Sequence, residues 1–184
     1  AFAMADGTIR IYSGLMDRMN DRELLFVIGH EMGHVKEKHI RKKLIVAYAA
    51  SALRKGIASQ ENLAGFIASS ALGGFAQVLA NAQFSQAEEK AADDFGLAFL
   101  KQIGFSGPQA VIVAAGALEK LASSSNAHSM LASHPHPEKR AKRMRMASDE
   151  KSPSMPSEIL AKGQGWMAII KEKIVDRFVQ KDNQ

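Results

Sequence analysis

The chain has no cysteine among its 184 residues. Disulfides and thiolate metal ligands are therefore excluded, and the redox compartment stays open. Aromatic residues make up only 7% and prolines number 5, while alanine and methionine are abundant. That balance favours helices over a sheet-rich fold. Charge of one sign is not in large excess: the net charge is +5 and the pI about 9.5. A mildly basic chain suits a membrane surface or a nucleic acid, but charge alone does not choose between them. No secretory signal is visible, because Ala1, Phe2, Ala3, Met4 and Ala5 include neither a charged n-region nor a long apolar core. The start without Met leads us to expect a fragment or processed form, with any targeting segment upstream. No internal repeat is found.

Charge is also missing locally. From Asn62 to Ala87 no charged residue occurs, which is long enough to raise the question of a membrane span of about 20 residues. Ser, Gly, Asn and Gln interrupt the run, and alanine contributes little transfer energy. The stretch from Leu63 to Ala80 is read as a buried or membrane-apposed helix, open to a membrane surface or a partner.

What is present suits one domain of mainly α class with a small β-sheet (α+β), covering residues 1–147, then a linker over 148–165 and an amphipathic C-terminal helix within 166–184. Asp6-Gly7 is a turn signal, and Thr8, Ile9, Arg10, Ile11 and Tyr12 read as a short strand. An edge strand there can hold an extended peptide by main-chain pairing, although a purely structural strand reads equally well. Asn20 or Asp21 caps a helix expected to run to residues 38–40, where Lys36, Lys38, Arg41, Lys42 and Lys43 suit its C-terminal dipole. Further helices are expected over 84–100, closed by Gly104, over 107–122, opened by Ser106 and Pro108, and over 138–146. His134-Pro135-His136-Pro137 is expected to be extended.

The chemistry concentrates in Val27-Ile28-Gly29-His30-Glu31-Met32-Gly33-His34-Val35. A 3.6-residue repeat puts His30 and His34 one turn apart on one face, where two imidazoles can share a zinc ion. Glu31 stands about 100° round the helix. It is placed to take a proton from a water rather than to join the ligand row. Apolar flanks imply burial, and a buried polar row needs a partner. Gly29 and Gly33 each cost about 1 kcal/mol of helix propensity, which makes sense if another element packs closely there.

Two histidines leave a catalytic zinc short of a third protein ligand. A metzincin would place Gly and His further along the same helix. Glu37 and Ile40 occupy those slots, so that class is rejected, and His39 is expected at the surface. A carboxylate from a later helix remains. Glu89 is the leading candidate, with Asp93 four residues on and on the same face, able to accept from a ligand histidine. Spacing alone equally allows Glu88, Glu89, Asp93 and Asp94 to form a solvated acidic face.

Taken in order, Phe2-Ala3 through Gly14-Leu15, Gly29-His30-Glu31-x-x-His34, Glu89-x-x-x-Asp93-x-x-Gly96 and His134-Pro135 with Arg140 resemble the gluzincin peptidase family. That family contains the HtpX heat-shock protease, the CAAX prenyl proteases and the mitochondrial Oma-type proteases. Within it the chain is most similar to the soluble bacterial YggG/LoiP-type envelope lipoproteins. The resemblance covers residues 1–146 and implies a zincin-like metallopeptidase domain. It implies one Zn2+ per chain on His30, His34 and Glu89, with Glu31 as catalytic base and Asp93 supporting a ligand histidine. It also implies that His134 and Arg140 lie near the zinc, as groups able to steady an oxyanion. In some relatives such a histidine fills the open zinc position instead. His136 competes with His134 but reads better as a helix cap. Gln86 and Ala91 depart from the family, which often has Arg and an acidic residue there.

The function expected is zinc-dependent endopeptidase activity in cell-envelope protein quality control, periplasmic and membrane-associated, on unfolded or membrane-associated substrates. Thr8, Ile9, Arg10, Ile11 and Tyr12 would bind the substrate strand. The rival is a zinc-stabilised chaperone whose peptidase site is shut by His134. Nucleic-acid binding through Lys139, Arg140, Lys142, Arg143 and Arg145 is set aside, since no aromatic interleaving or reading motif accompanies these charges.

Overall fold

Residues 1–55, 83–123 and 133–146 are described by the structure, a computed structural model. Strand β1 (Phe2–Ala3) pairs antiparallel with β2 (Ile9–Arg10), Phe2 opposite Arg10 and Ala3 opposite Ile9. The turn between them rests on Gly7, whose φ of +90° favours glycine. Asp6 Oδ1 accepts the Thr8 N–H at 2.9 Å. The strand is shorter than expected: only Ile9 and Arg10 of the five residues are paired, and Ser13 already starts a one-turn helix, α1 (Ser13–Met16).

Helix α2 (Asp21–Lys36) carries the motif. Asn20 is its N-cap: its side chain accepts the Glu23 N–H at 3.0 Å, and Glu23 Oε2 accepts the Asn20 N–H at 2.9 Å. This reciprocal pair satisfies two of the otherwise orphaned donors at the helix start. The expected continuation to residues 38–40 is not found. The helix stops at Lys36, Lys38 takes φ +58°, and α3 (His39–Lys55) begins at once. Arg41, Lys42 and Lys43 therefore stand in the first turns of α3 rather than at the C-terminus of α2. The helix-dipole rationale for them fails. Lys43 instead donates to the Gln83 carbonyl at 2.8 Å and pairs with Glu88 at 3.5 Å.

Helix α4 (Gln86–Gln102) opens on a Ser85–Glu88 capping box, and Gly104, at φ +110°, follows its end. Helix α5 (Gly107–Ala122) opens on Ser106, with Pro108 in its first turn as expected. Helix α6 (Pro137–Met146) follows His136, whose φ is +56°. His136 is therefore left-handed, not extended. Its carbonyl accepts the Arg140 N–H at 3.1 Å, so it does cap α6.

The most extensive packing is α2 against α4. Gly29, Gly33 and Gly96 allow it. A Cβ on Gly33 would lie 2.9 Å from Ala92 Cα, and one on Gly96 2.9 Å from the Phe26 ring. Two apolar clusters flank this pair of helices. The larger joins α2, α4, α5 and α6 through Leu24, Phe26, Leu100, Leu118 and Met144. The smaller joins Ala3, Met4, Ile40, Leu44 and Phe84. The protein is thus mainly helical with a two-stranded sheet among the described residues. No described helix is long and apolar enough to cross a membrane. The stretch 63–80, the linker 148–165 and the C-terminal helix within 166–184 lie outside the described residues.

Candidate metal centre

Helix α2 presents His30 and His34 on one face, their Nε2 atoms 3.1 Å apart. Helix α4 brings Glu89 across: Glu89 Oε1 is 3.4 Å from His34 Nε2, and Glu89 Oε2 is 3.7 Å from His30 Nε2. A fourth donor arrives from the segment before α6, where His134 Nδ1 lies 3.2 Å from His30 Nε2 and 2.9 Å from Glu89 Oε1. One ligand atom from each of the four falls within 4.8 Å of every other, and all four residues are buried. Donors held at 2.0–2.1 Å in a tetrahedron stand about 3.3 Å apart. The separations given above, 2.9–3.7 Å, bracket that edge, so the donor set is of the size that suits a zinc ion. The solvated-face alternative does not survive, because Glu89 and Asp93 are buried to 1% and 0% exposure.

Burial pushes the His34 imidazole well below its usual pKa. It is therefore neutral at physiological pH, the form that ligates a metal. Burial opposes the charge on Glu89, yet His134, His34 and His30 hold its carboxyl far below the usual carboxylate range. Asp93 is likewise held low against its own burial, by Arg140 and His30. The guanidinium donates through Nη2 to Asp93 Oδ1 at 2.6 Å and through Nε to Oδ2 at 3.0 Å. Asp93 Oδ1 is also 3.0 Å from His30 Nδ1. Arg140 Nη2 is spent on Asp93, so the His30 nitrogen is the donor to that carboxylate, and His30 Nε2 keeps its lone pair for the centre. Arg140 Nη1 closes on Glu89 Oε2, and Arg143 adds a contact to Asp94 at 2.7 Å.

Glu31 is 1% exposed, and its Oε1 has no hydrogen-bond partner. It lies 3.6 Å from His134 Nε2. A buried carboxylate oxygen facing the donor cluster without a partner is costly unless something polar comes to it. Of the remaining expected site residues, Ile9 and Arg10 form β2, Thr8 precedes it, and Ile11 and Tyr12 follow it, with Tyr12 49% exposed.

Two neighbours of the centre were not anticipated. His39, expected at the surface, is 4% exposed, and its Nδ1 lies 3.1 Å from His34 Nδ1. The break at Lys38 turns it inward. Phe84 also packs on the centre, its ring 4.0 Å from that of His34 and 5.0 Å from that of His134. Its backbone N–H donates to the Ser133 carbonyl at 2.9 Å, fixing the segment that carries His134. An apolar residue just ahead of a helix cap is a usable signal for Phe84. For His39 the only sequence signal is its apolar neighbour Ile40.

Comparison with known proteins gives the family. The profile of peptidase family M48 matches residues 1–148. Metalloprotease LoiP of Escherichia coli (strain K12) is 44% identical over 151 residues, covering 81% of this chain and 59% of LoiP. Metalloprotease YcaL of the same organism is 41% identical over 147 residues, 79% of this chain and 56% of YcaL. A putative beta-barrel assembly-enhancing protease of Vibrio cholerae is 29% identical over 76% of this chain and 30% of its own length. The chain thus spans under two thirds of the length of these relatives. No solved structure matches it. A profile match of this extent, with two relatives above 40% identity, shows that the chain belongs to peptidase family M48.

Proposed function

We propose that this protein is a zinc-dependent endopeptidase that holds one Zn2+ per chain on His30, His34 and Glu89. The observation that carries the reading is the convergence of these donors beside a buried, partnerless Glu31 oxygen. Zinc, when bound, supplies Lewis acidity and brings the pKa of a water to about 7. Glu31 takes the proton of the attacking water at its free Oε1 and passes it to the leaving amine. Asp93 holds His30 in the ligating tautomer, and Arg140 holds Asp93 and Glu89 in place. Because Arg140 is engaged by these two carboxylates, the oxyanion contact falls to His134. An extended substrate segment pairs along Thr8, Ile9, Arg10, Ile11 and Tyr12.

The substrates are unfolded or membrane-associated proteins of the bacterial cell envelope, and the protein acts in the periplasm, associated with the membrane. Support comes from its bacterial metalloprotease relatives, among them one named for beta-barrel assembly. Contact with a membrane or partner is assigned to residues 63–80 and 166–184. We do not propose a nucleic acid as partner: Arg140, Arg143 and Arg145 of the basic cluster pair with Asp93, Asp94 and Glu119.

Metal analysis with a casein cleavage assay tests the reading. Glu31→Gln retains zinc and loses cleavage by about 10²–10⁴-fold; undiminished cleavage overturns the base assignment. Glu89→Ala loses zinc; an unaltered zinc content points to another ligand, Glu88 first. A second reading is favoured by the place of His134 inside the donor cluster. There it fills the position a water needs, giving a zinc-stabilised quality-control binding protein with a self-inhibited peptidase site. His134→Ala separates the two: it raises cleavage if His134 blocks the site and lowers it if His134 stabilises the oxyanion.

A further inference from the structure

In a continuous helix, positions 34 and 39 stand about 140° apart round the axis, and their side chains cannot meet. Here the chain breaks between them. Lys38 adopts φ +58°, a left-handed conformation that is strained for a non-glycine residue. The result is that His39, the first residue of α3, folds back until its Nδ1 is 3.1 Å from His34 Nδ1. Three features hold it there. Ile40 and Leu44, 2% and 0% exposed, anchor α3 in the smaller apolar cluster. Phe84 lies against both imidazoles, at 4.0 Å from the His34 ring and 6.3 Å from the His39 ring. The Lys42 N–H bonds back to the Lys38 carbonyl at 2.9 Å, closing the first turn.

The two histidines of the motif are thus supported differently. His30 rests on the carboxylate of Asp93 and His34 on a neutral-type acceptor, another imidazole. His34 Nε2 faces His30 and Glu89, so only its Nδ1 remains to be oriented. Resting on the zinc reading above, we propose that His39 is a positioning residue for His34. Its Nδ1 accepts the His34 Nδ1–H, which fixes the ring and leaves the Nε2 lone pair for the metal. The helix break at Lys38 is the device that delivers it.

The test is zinc affinity of the full chain, by competition with a chromophoric chelator, for the parent, His39→Ala and His39→Asn. Asn keeps an acceptor close to the Nδ1 position. The dissociation constant rises about 10–100-fold in His39→Ala, His39→Asn recovers most of the loss, and the cobalt-substituted visible spectrum changes in His39→Ala alone. A His39→Ala constant within about twofold of the parent, far less than support for a ligand contributes, overturns the proposal. So does a His39→Asn constant no better than that of His39→Ala. A readout that needs no variant is nitrogen NMR of the zinc-loaded parent with labelled imidazoles. It shows a coupling from the His34 Nδ1–H to His39 Nδ1; a proton resident on His39 Nδ1 overturns the assignment. A parent chain that binds no zinc defeats the zinc reading itself, whereas a zinc-binding parent with unaffected variants defeats only the role of His39.

Discussion

The two halves of α2 solve opposite problems. Its N-terminal half contributes Leu24, Phe26 and Val27 to an apolar cluster with Leu118 and Leu121 of α5. Its C-terminal half buries His30, Glu31 and His34 against Glu89, Asp93, His134 and Arg140. Apolar contact is non-directional and roughly proportional to area, so the first half tolerates change by degrees. The second half is directional. Each polar group there is affordable only while its partners stay in place.

The sharpest way to probe this contrast is to remove one charge from the polar half. Arg140→Leu takes the nearest cation from Asp93 and Glu89, leaving Asp93 only Arg143 at 3.5 Å, and destabilises the metal-free chain by about 3–5 kcal/mol, measured by urea unfolding. A loss below about 1 kcal/mol, the scale of an exposed ion pair, would show that the carboxylates are not dependent on it. The matching cut in the apolar half is Leu118→Ala, at a residue 1% exposed. It costs about 2–5 kcal/mol, but zinc affinity of the folded protein stays at the parent value. A weakened zinc site would mean that the two halves are coupled.

Two glycine substitutions extend the comparison to the backbone. Gly33→Ala drives a Cβ to 2.9 Å from Ala92 Cα and 3.0 Å from Phe95 Cβ, which are not free to yield. It lowers stability by about 1–3 kcal/mol and also weakens zinc binding, because α2 and α4 carry the ligands between them. A thermal midpoint at or above that of the parent would refute the close-packing account. At Gly116, in α5, the added Cβ meets only Glu23 Oε1 at 3.4 Å. Gly116→Ala therefore stabilises by up to about 1 kcal/mol through helix propensity, read as a small rise in the same midpoint.

Much of this arrangement was legible locally. The pairing of His30 with His34 follows from helix periodicity, and the caps at Asn20 and Ser106 follow from side chains that bond within three residues; Ser85, expected inside a helix starting at residue 84, instead caps one that starts at Gln86. The glycines of α2 announced a close neighbour through their propensity cost, and Gly29 and Gly33 do meet α4. Other features were not legible. The end of α2 carries neither Gly nor Pro, so the sequence reads as helix on to residues 38–40, and the earlier turn at Lys38 went unseen. His39 was misplaced for that reason. The choice between an acidic surface and a buried carboxylate pair was also undecidable from spacing.

The sequence by itself determined the kinds of chemistry available: nitrogen and oxygen donors without thiolate, two of them locked one helical turn apart, with a proton acceptor beside them. These are matters of composition and of a repeat that operates over four residues. Only the tertiary structure decided which carboxylate, which further histidine and which arginine reach that turn. Their separations in sequence run from 45 residues between Glu89 and His134 to 110 between His30 and Arg140. Over such distances, helix packing and chain reversal, not local propensity, set who meets whom.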